Sequence, residues 1–566
     1  MVKTWLDRKT AINDDFVKDP IFTLLEDTDC NVMITGAAGT GKSTVLREFV
    51  KSTGKTCVVL APTGIAATNV GGQTIHSFFQ LPPGIIRSED INKSRFAPIY
   101  ERMDVLVIDE ISMVRRDLFD AMDQILRRYK DSNQPFGGVQ LILFGDMYQL
   151  PPIVTDEDSS ILYQKYENYS NYFFDSSAYK ELDLMIVRLS HVYRQSDSTF
   201  LGILTRMQKN MLTSEDIDIL NKQVQCDDSN HVVLSTVNRT VEEYNMQHLN
   251  ELPGPEAAYS ASKAGDVNVK DAPAPEKLVL KDGARVIFLV NDSKGRYYNG
   301  SLGTVTSLSK DSVNVKLDCN DEIISLGKYD WNIYKYIFEK GNICKEPKGS
   351  ISQIPLKLAW AMTIHKSQGQ TLEKALIDLK YRPWEHGQTY VAFSRLRSLS
   401  GLKLKTPLRK EDIKVDLRVM EWENSLAKEK SMRDGTLPDN VCVEFPVTLS
   451  AENSGKVIDR LKHEFLADFG INISVEHTSR NTYLISGASL VTDFVRRRAE
   501  SLIKELSSIN SKNSNSSTNN STIDAEKEKN MTNIIYMPSS RSASKLQSDY
   551  LRLVRLLEPN KKVKFD

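Results

Sequence analysis

One junction constrains this chain more than any other. The apolar run Val32-Met33-Ile34-Thr35 ends in Gly36-Ala37-Ala38-Gly39-Thr40-Gly41-Lys42-Ser43-Thr44, and the helical pattern STVLREFV opens at once. A buried strand that breaks into glycines and restarts as a helix is a unit of a parallel sheet covered by helices. The same alternation continues through CVVLAP (57–62), VLVID (105–109) and VQLILFGD (139–146). A second set, HVVLST (231–236), QIPLKLAWAMTIH (353–365) and LIDL (376–379), predicts a second lobe of the same class. Between its halves, RVIFLV, GTVTSL and SVNVKL alternate with Gly, Asn and Asp turns, which reads as an inserted small β-barrel. The expected fold class is α/β: a first lobe over 1–189, a second over 190–250 and 353–425, and the insertion over 251–352. Residues 1 to about 28 read as a helical lead-in.

Composition narrows the class. At roughly 150 residues per domain, 566 residues suggest three or four domains. An apolar share of 40% and a charged share of 26% match a globular chain with a sizeable core. Lys plus Arg (73) against Asp plus Glu (74) leaves a net charge of −1, so any basic groove must be local. No apolar run is long enough for a spanning helix, and no membrane partner is expected. The N-terminus lacks an apolar signal segment, and Asp7, Asp14 and Asp15 argue against a mitochondrial transit peptide. An intracellular location is expected: the nucleus in a eukaryote, the cytoplasm otherwise. Cys30, Cys57, Cys226, Cys319, Cys344 and Cys442 form no CxxC, which fits reduced thiols and disfavours a cysteine-rich zinc site.

The glycine-rich turn fits a phosphate cradle. Gly36, Gly39 and Gly41 let backbone N–H groups point inward, and the following helix adds its positive dipole end. Lys42 should reach the β- and γ-phosphates of ATP, and the Ser43 hydroxyl should ligate Mg²⁺. Asp109 ends a buried strand at the sheet edge where ligands bind, placed to hold Mg²⁺ through water. Glu110 beside it can polarise an attacking water, which marks hydrolysis. Gln149, after the strand end LFGD, can hydrogen-bond either water or a γ-phosphate. Arg194 and Arg395 can stabilise charge on a transferred phosphoryl group, and coupling to lobe closure follows if they approach from a second lobe.

The ordered motifs resemble the PIF (petite integration frequency) family of superfamily-one DNA helicases. They are GAAGTGKST (36–44), APTGIAATNVGGQTIHSFF (61–79), VLVIDEISMV (105–114), RRDLFDAMDQILRR (115–128) with PFGGVQLILFGDMYQLPP (135–152), VYRQSD (192–197), GARVIFLVND (283–292), YNGSLGTV (298–305), LAWAMTIHKSQGQTL (358–372) and GQTYVAFSRLRSLSGL (387–402). The resemblance implies two RecA-like lobes, ATP-driven 5′-to-3′ movement on single-stranded DNA, and unwinding of forked duplex, hybrid or quadruplex structures by a translocating monomer. Its roles extend to repair, recombination and telomere maintenance. It assigns Thr40 and Thr44, with Gly369 and Gln370 near the hinge, to the nucleotide. Pro62, Thr63, Gly64, Asn69, His76, Thr363 and His365 resemble its DNA-contacting positions. Residues 80–103 stand where the family carries a wedge element, and the insertion stands for its Src-homology-type domain. Two readings stay open beside it: a RecD-like or RNA- and hybrid-directed helicase, and a nucleotide-gated DNA clamp. Residues 20–30 hold no Gln where many such helicases read adenine, so relaxed nucleotide choice is expected.

The turns APTGIAA and TIHKSQG combine small residues, hydroxyls and His that can grip phosphates without reading bases. His76, Phe78 and Phe79 are candidates for base stacking, while Phe78 and Phe79 lie near a helix start and at least one of them is expected in the core. Beyond the lobes, 438–507 reads β-α-α-β-β-α and resembles a KH-type module able to take RNA. Its backbone-clamping GxxG loop would fall at Asp459-Arg460-Leu461-Lys462, without glycines. Residues 508–566 are expected to be a disordered linker and tail, since 14 of the 16 residues in 507–522 are Ser, Thr or Asn. The segment 544–566 has Leu and Val at helical spacing and reads as a surface helix.

Overall fold

A computed structural model of the chain describes residues 3–433 except 9–10, 14, 83, 92–95, 167–169, 226–230, 270–271, 293, 298 and 340–341. Beyond 433 it describes 439–444, 455–463, 474–479, 482–487, 498–499 and 502–503. The expected linker and tail lie outside these residues. The chain divides into two compact units, one holding Asn31–Asn424 and the other Lys3–Cys30 with the residues from Ser425 on. The first thirty residues, expected in the first lobe, therefore group elsewhere.

In the larger unit, the four strands expected from apolar runs pair in parallel with one another and with two more, Leu184–Leu189 and Gln73–Thr74. The order is Leu184–Leu189, Val32–Gly36, Gln140–Gly145, Val105–Ile108, Cys57–Ala61 and the short Gln73–Thr74. Val32–Gly36 is buried at every position because sheet neighbours and helices cover both its edges and both faces. Registers such as Thr35 with Gly145, Gly36 with Leu189, and Ile108 with Leu143 align the strand ends. The phosphate loop, Asp109–Glu110, the loop from Asp146 and the connector through Arg194 thus emerge at one edge. A second parallel sheet runs Ala361–Thr363, Val232–Ser235, Ala375–Asp378, Leu402–Leu404.

The insertion is antiparallel throughout. One sheet orders Ile323–Leu326, Val313–Leu317, Leu302–Leu308, Arg285–Phe288 and Leu356–Leu358. Lys277–Leu280 pairs with Ala257–Ser260, and both sheets share a core that includes Tyr259, Leu278, Val286, Val315 and Leu356. The run 353–365, expected as second-lobe strand, is divided: Leu356–Leu358 joins Arg285–Phe288, and only Ala361–Thr363 joins the second lobe. The boundary expected at 352 therefore falls later. A long hairpin, Tyr329–Glu339 with Asn342–Gln353, was not legible as strand, because its Lys, Glu, Asn and Tyr residues lack an apolar face pattern.

In the smaller unit, the expected helical lead-in opens instead with a strand, Lys3–Arg8, before the helix Pro20–Glu26. Asp19 caps that helix through the Ile21 amide at 2.9 Å and pairs with Arg8 at 2.7 Å, both fully buried. Asp439–Glu444, Thr482–Gly487 and Ser474–Ser479 form an antiparallel sheet with Thr482–Gly487 central. Residues 455–463 are helical, so the inter-helix loop expected at Asp459–Lys462 is instead part of a helix. Without glycine to break it, that segment continues its turns.

Candidate functional site

The phosphate loop has the backbone its glycines permit. Gly41 caps the helix Lys42–Ser52 at φ 88°, and Gly39 sits at φ 84°, both left-handed. A Cβ on Gly39 would lie 2.5 Å from Cβ of Arg194, so glycine is what lets that arginine approach the loop. The Lys42 ammonium donates to the carbonyls of Gly36 (2.7 Å) and Ala37 (3.0 Å). Burial lowers its pKa, opposed by the charges of Asp146 and Glu110. Thr40 is buried and donates to Ala37, whereas Ser43 and Thr44 are exposed.

Asp109 and Glu110 follow the strand Val105–Ile108. Burial, reinforced by the adjacent Glu110 charge, raises the Asp109 carboxyl to about 7. Burial also raises Glu110, opposed by Lys42 and Arg395. Glu110 occupies φ 50°, ψ 46°, a left-handed conformation that a side chain seldom adopts. Gln368 of the HKSQ turn donates to its carboxylate at 3.2 Å across 258 residues. Gln368 was missed from sequence, although its place in the motif was visible. Gln149 donates to Asp146 at 3.0 Å, and Gln208 does so at 3.2 Å.

The second lobe closes on this edge through the helix Gln388–Ser394. Tyr390 Oη accepts from the Ala38 amide at 3.2 Å and donates to Asp146 at 3.3 Å, a bridge no motif had indicated. Arg194 donates to the Ser394 carbonyl at 3.0 Å, and Gln195 to those of Ser394 and Leu396. Arg395 is 1% exposed and donates to Val391, to Ser394 Oγ and, at 3.5 Å, to the Gln370 carbonyl. Burial depresses both guanidinium pKa values, Arg194 to about 9, and Arg395 beside it adds like-charge repulsion. A buried guanidinium at Arg395 and a partly buried one at Arg194, whose charge also acts on Lys42, favour a bound polyanion. Gly387 lets the lobes meet: at φ +76°, its Cβ would stand 2.5 Å from the Gln149 carbonyl. Gly369 is exposed in a left-handed turn, and Gln370 lies beside it. Among the described residues no group of three or more His, Cys, Asp or Glu could hold a metal ion. A cation at Ser43 and Asp109 would therefore need phosphate oxygens to complete its shell, as Mg²⁺ commonly does.

The strand-contacting candidates divide. Thr63 caps the helix Gly64–Asn69 through the Ala66 amide, with Pro62 before it and Asn69 at the helix end. Thr363 ends its strand buried, its hydroxyl accepting from the Lys366 amide. His76 is half-buried, and burial and Arg115 lower its pKa. Phe78 and Phe79 are not available for bases. They are 1% and 2% exposed and pack on Tyr100 with ring centroids 5.4 and 5.5 Å away. Helical spacing could not reveal that Phe96 and Tyr100 pack over them.

The segment 115–128 explains itself as a hub. The helix Arg116–Tyr129 buries Arg116, Asp117, Asp120 and Asp123, and each has a partner. Asp117 accepts from Arg115 and the Ile86 amide, and Arg128 donates to the Ile91 carbonyl, tying down the chain at Ile86 and Ile91. Asp123 accepts from the Phe136 amide, and Asp120 from Ala178 and Tyr166. Residues 416–423, expected to close the second lobe, also bond to the first. Asp416 accepts from Tyr172 at 2.9 Å, and Trp422 donates to Tyr179 at 2.8 Å.

Residues 16–210 match the model of the PIF1-like helicase family. The ATP-dependent DNA helicase Pif1 of Bdellovibrio bacteriovorus is 35% identical over 389 residues, covering 66% of this chain and 84% of that protein. The solved structure of Bacteroides sp. Pif1 with ADP-AlF4 is 36% identical, with a TM-score of 0.68 over 74% of this chain and 98% of that one. With ADP-AlF3 and single-stranded DNA, the Bacteroides helicase superposes with a TM-score of 0.55 at the same identity and coverage.

Proposed function

Because the chain belongs to the PIF1-like helicase family, whose named members are ATP-dependent DNA helicases, we propose that it hydrolyses ATP between its two parallel-sheet lobes to move 5′-to-3′ along single-stranded DNA and unwind forked duplex. The observation that carries this reading is the cross-lobe convergence at Lys42. Tyr390 reaches the phosphate loop, Gln368 reaches Glu110, and Arg194 joins the Ser394 carbonyl beside Arg395. A site assembled from both lobes exists in full only when they close, so occupancy and closure are one equilibrium.

Each residue then has a defined task. Loop amides and Lys42 bind the phosphates. Glu110 accepts a proton from the attacking water, and Gln149 orients that water. Arg194 and Arg395 stabilise charge on the transferred phosphoryl group. Ser43 and, through water, Asp109 would hold Mg²⁺, which neutralises phosphate charge. Pro62, Thr63, Gly64, Asn69 and His76 grip DNA on one lobe, and Thr363 and His365 on the other, so opening and closing shift one grip against the other. RecA-like lobes, a Src-homology-type insertion, a wedge at 80–103, a KH-like fold at 438–507 and action as a monomer belong to the same reading, as do hybrid and quadruplex substrates.

Strand displacement on forks with a 5′ or a 3′ single-stranded tail tests it. Unwinding should require ATP and the 5′ tail. Unwinding from the 3′ tail alone, or hydrolysis indifferent to single-stranded DNA, refutes it. Relaxed nucleotide choice follows from the missing Gln, and GTP should support a rate comparable to ATP at saturation.

A further inference from the structure

The loop between Ala375–Asp378 and the helix Gln388–Ser394 carries two large aromatics that the core does not use. Tyr381 is 51% exposed and Trp384 is 59% exposed. Large exposed aromatics three residues apart cost solvation and mark a contact surface rather than a fold requirement. Their placement is specific. The loop leaves the C-terminal end of a strand in the second parallel sheet, the edge that also carries Thr363 and His365. His365 lies parallel to Trp384, with ring centroids 6.1 Å apart and planes 20° from one another. Thr236, at the end of the adjoining strand, donates to the Tyr381 carbonyl at 2.7 Å and fixes the loop to the sheet.

The charge around this loop favours an anionic backbone. Lys380 Nζ stands 5.7 Å from the Tyr381 ring, and Lys414 Nζ lies 3.5 Å from the Trp384 carbonyl. Lys366 follows His365 and is exposed. Nearby carboxylates are engaged: Glu385 accepts from the His386 amide, Asp378 pairs with Lys405, and Asp412 with Arg382. Cations that track phosphate, beside rings that offer flat faces, are the two parts of a single-strand site.

We propose that Tyr381 and Trp384 form a base-stacking platform for single-stranded DNA on the second lobe, with His365 supporting Trp384 from behind. This rests on the helicase reading above and deepens it. The phosphate grips hold the backbone, and the platform gives the second lobe a hold on the bases. A base seated on Trp384 moves with the lobe, so the platform resists slippage while the other grip resets.

Equilibrium binding of the full-length chain to a short single strand, with or without a run of abasic sites, tests this. Base stacking is worth ~1–3 kcal/mol per base, so Trp384→Ala and Tyr381→Ala should each weaken binding to the intact strand by about five- to a hundredfold. Trp384→Phe should retain most of the affinity. On the abasic strand, the unaltered chain and Trp384→Ala should bind alike, because the stacked base is missing from both. An equal loss on intact and abasic strands, or no loss on either, overturns the platform while leaving the helicase reading in place. If the unaltered chain neither binds single-stranded DNA nor hydrolyses ATP faster with it, both readings fall.

Discussion

Glu110 concentrates the residue-scale physics. Its left-handed backbone and partly buried carboxylate are each unfavourable, of order 1–3 kcal/mol for the backbone alone. Such strain persists where surrounding structure fixes it, and here the strand before it and Gln368 opposite do so. Glu110→Gln keeps the shape and removes the buried charge. ATP binding should survive, DNA-stimulated hydrolysis should fall by roughly 10²–10⁴-fold, and the thermal midpoint at neutral pH should rise. Unchanged hydrolysis would remove Glu110 from the mechanism. Lys357 gives the pH dependence. Burial, with Lys366 nearby, lowers its pKa to about 8. Below that pH the lysine is charged both folded and unfolded, and the folded state bears the full penalty. From about 8 to about 10.4 the folded chain has lost the proton and the unfolded chain has not, so stability rises with pH across that window. Lys357→Met should be more stable at neutral pH and should lose this rise, which thermal melts across that range would reveal.

At the scale of elements, the decisive piece is the helix Arg116–Tyr129. The sequence shows a charged, family-like helix, and charge alone predicts an exposed face. The fold buries those charges because 80–103, Phe136 and Ala178 each present a backbone amide or carbonyl that needs a partner. Asp117→Ala would leave Arg115 without its carboxylate and the Ile86 amide without its acceptor, typically costing 3–5 kcal/mol for a buried pair. Since 80–103 is read as the wedge, strand separation should drop severalfold more than DNA-stimulated hydrolysis in that variant. Equal losses of both would mean that 80–103 only stabilises the lobe. The long hairpin Tyr329–Gln353 illustrates the opposite blindness. Its residues alternate too weakly to signal a strand, and pairing along its whole length supplies the stability that the pattern does not.

For the molecule as a whole, function depends on two sheets meeting at one edge. Arg395→Ala should leave nucleotide binding within severalfold and reduce hydrolysis by roughly 10³-fold or more, because the charge it stabilises peaks in the transition state. A loss confined to binding would place Arg395 outside the closed site. By itself, the sequence determined the local chemistry: the phosphate loop, the acidic strand end, the sheet class and the order of motifs. These follow from short-range rules, since glycine fixes a turn and an apolar run fixes a strand wherever they occur. Only the tertiary structure decided that both Phe78 and Phe79 are core, that Tyr390 and Gln368 reach across 352 and 258 residues, and that Tyr381 and Trp384 stand exposed. Such contacts depend on how distant elements pack at ångström distances, and no window of neighbouring residues contains that information.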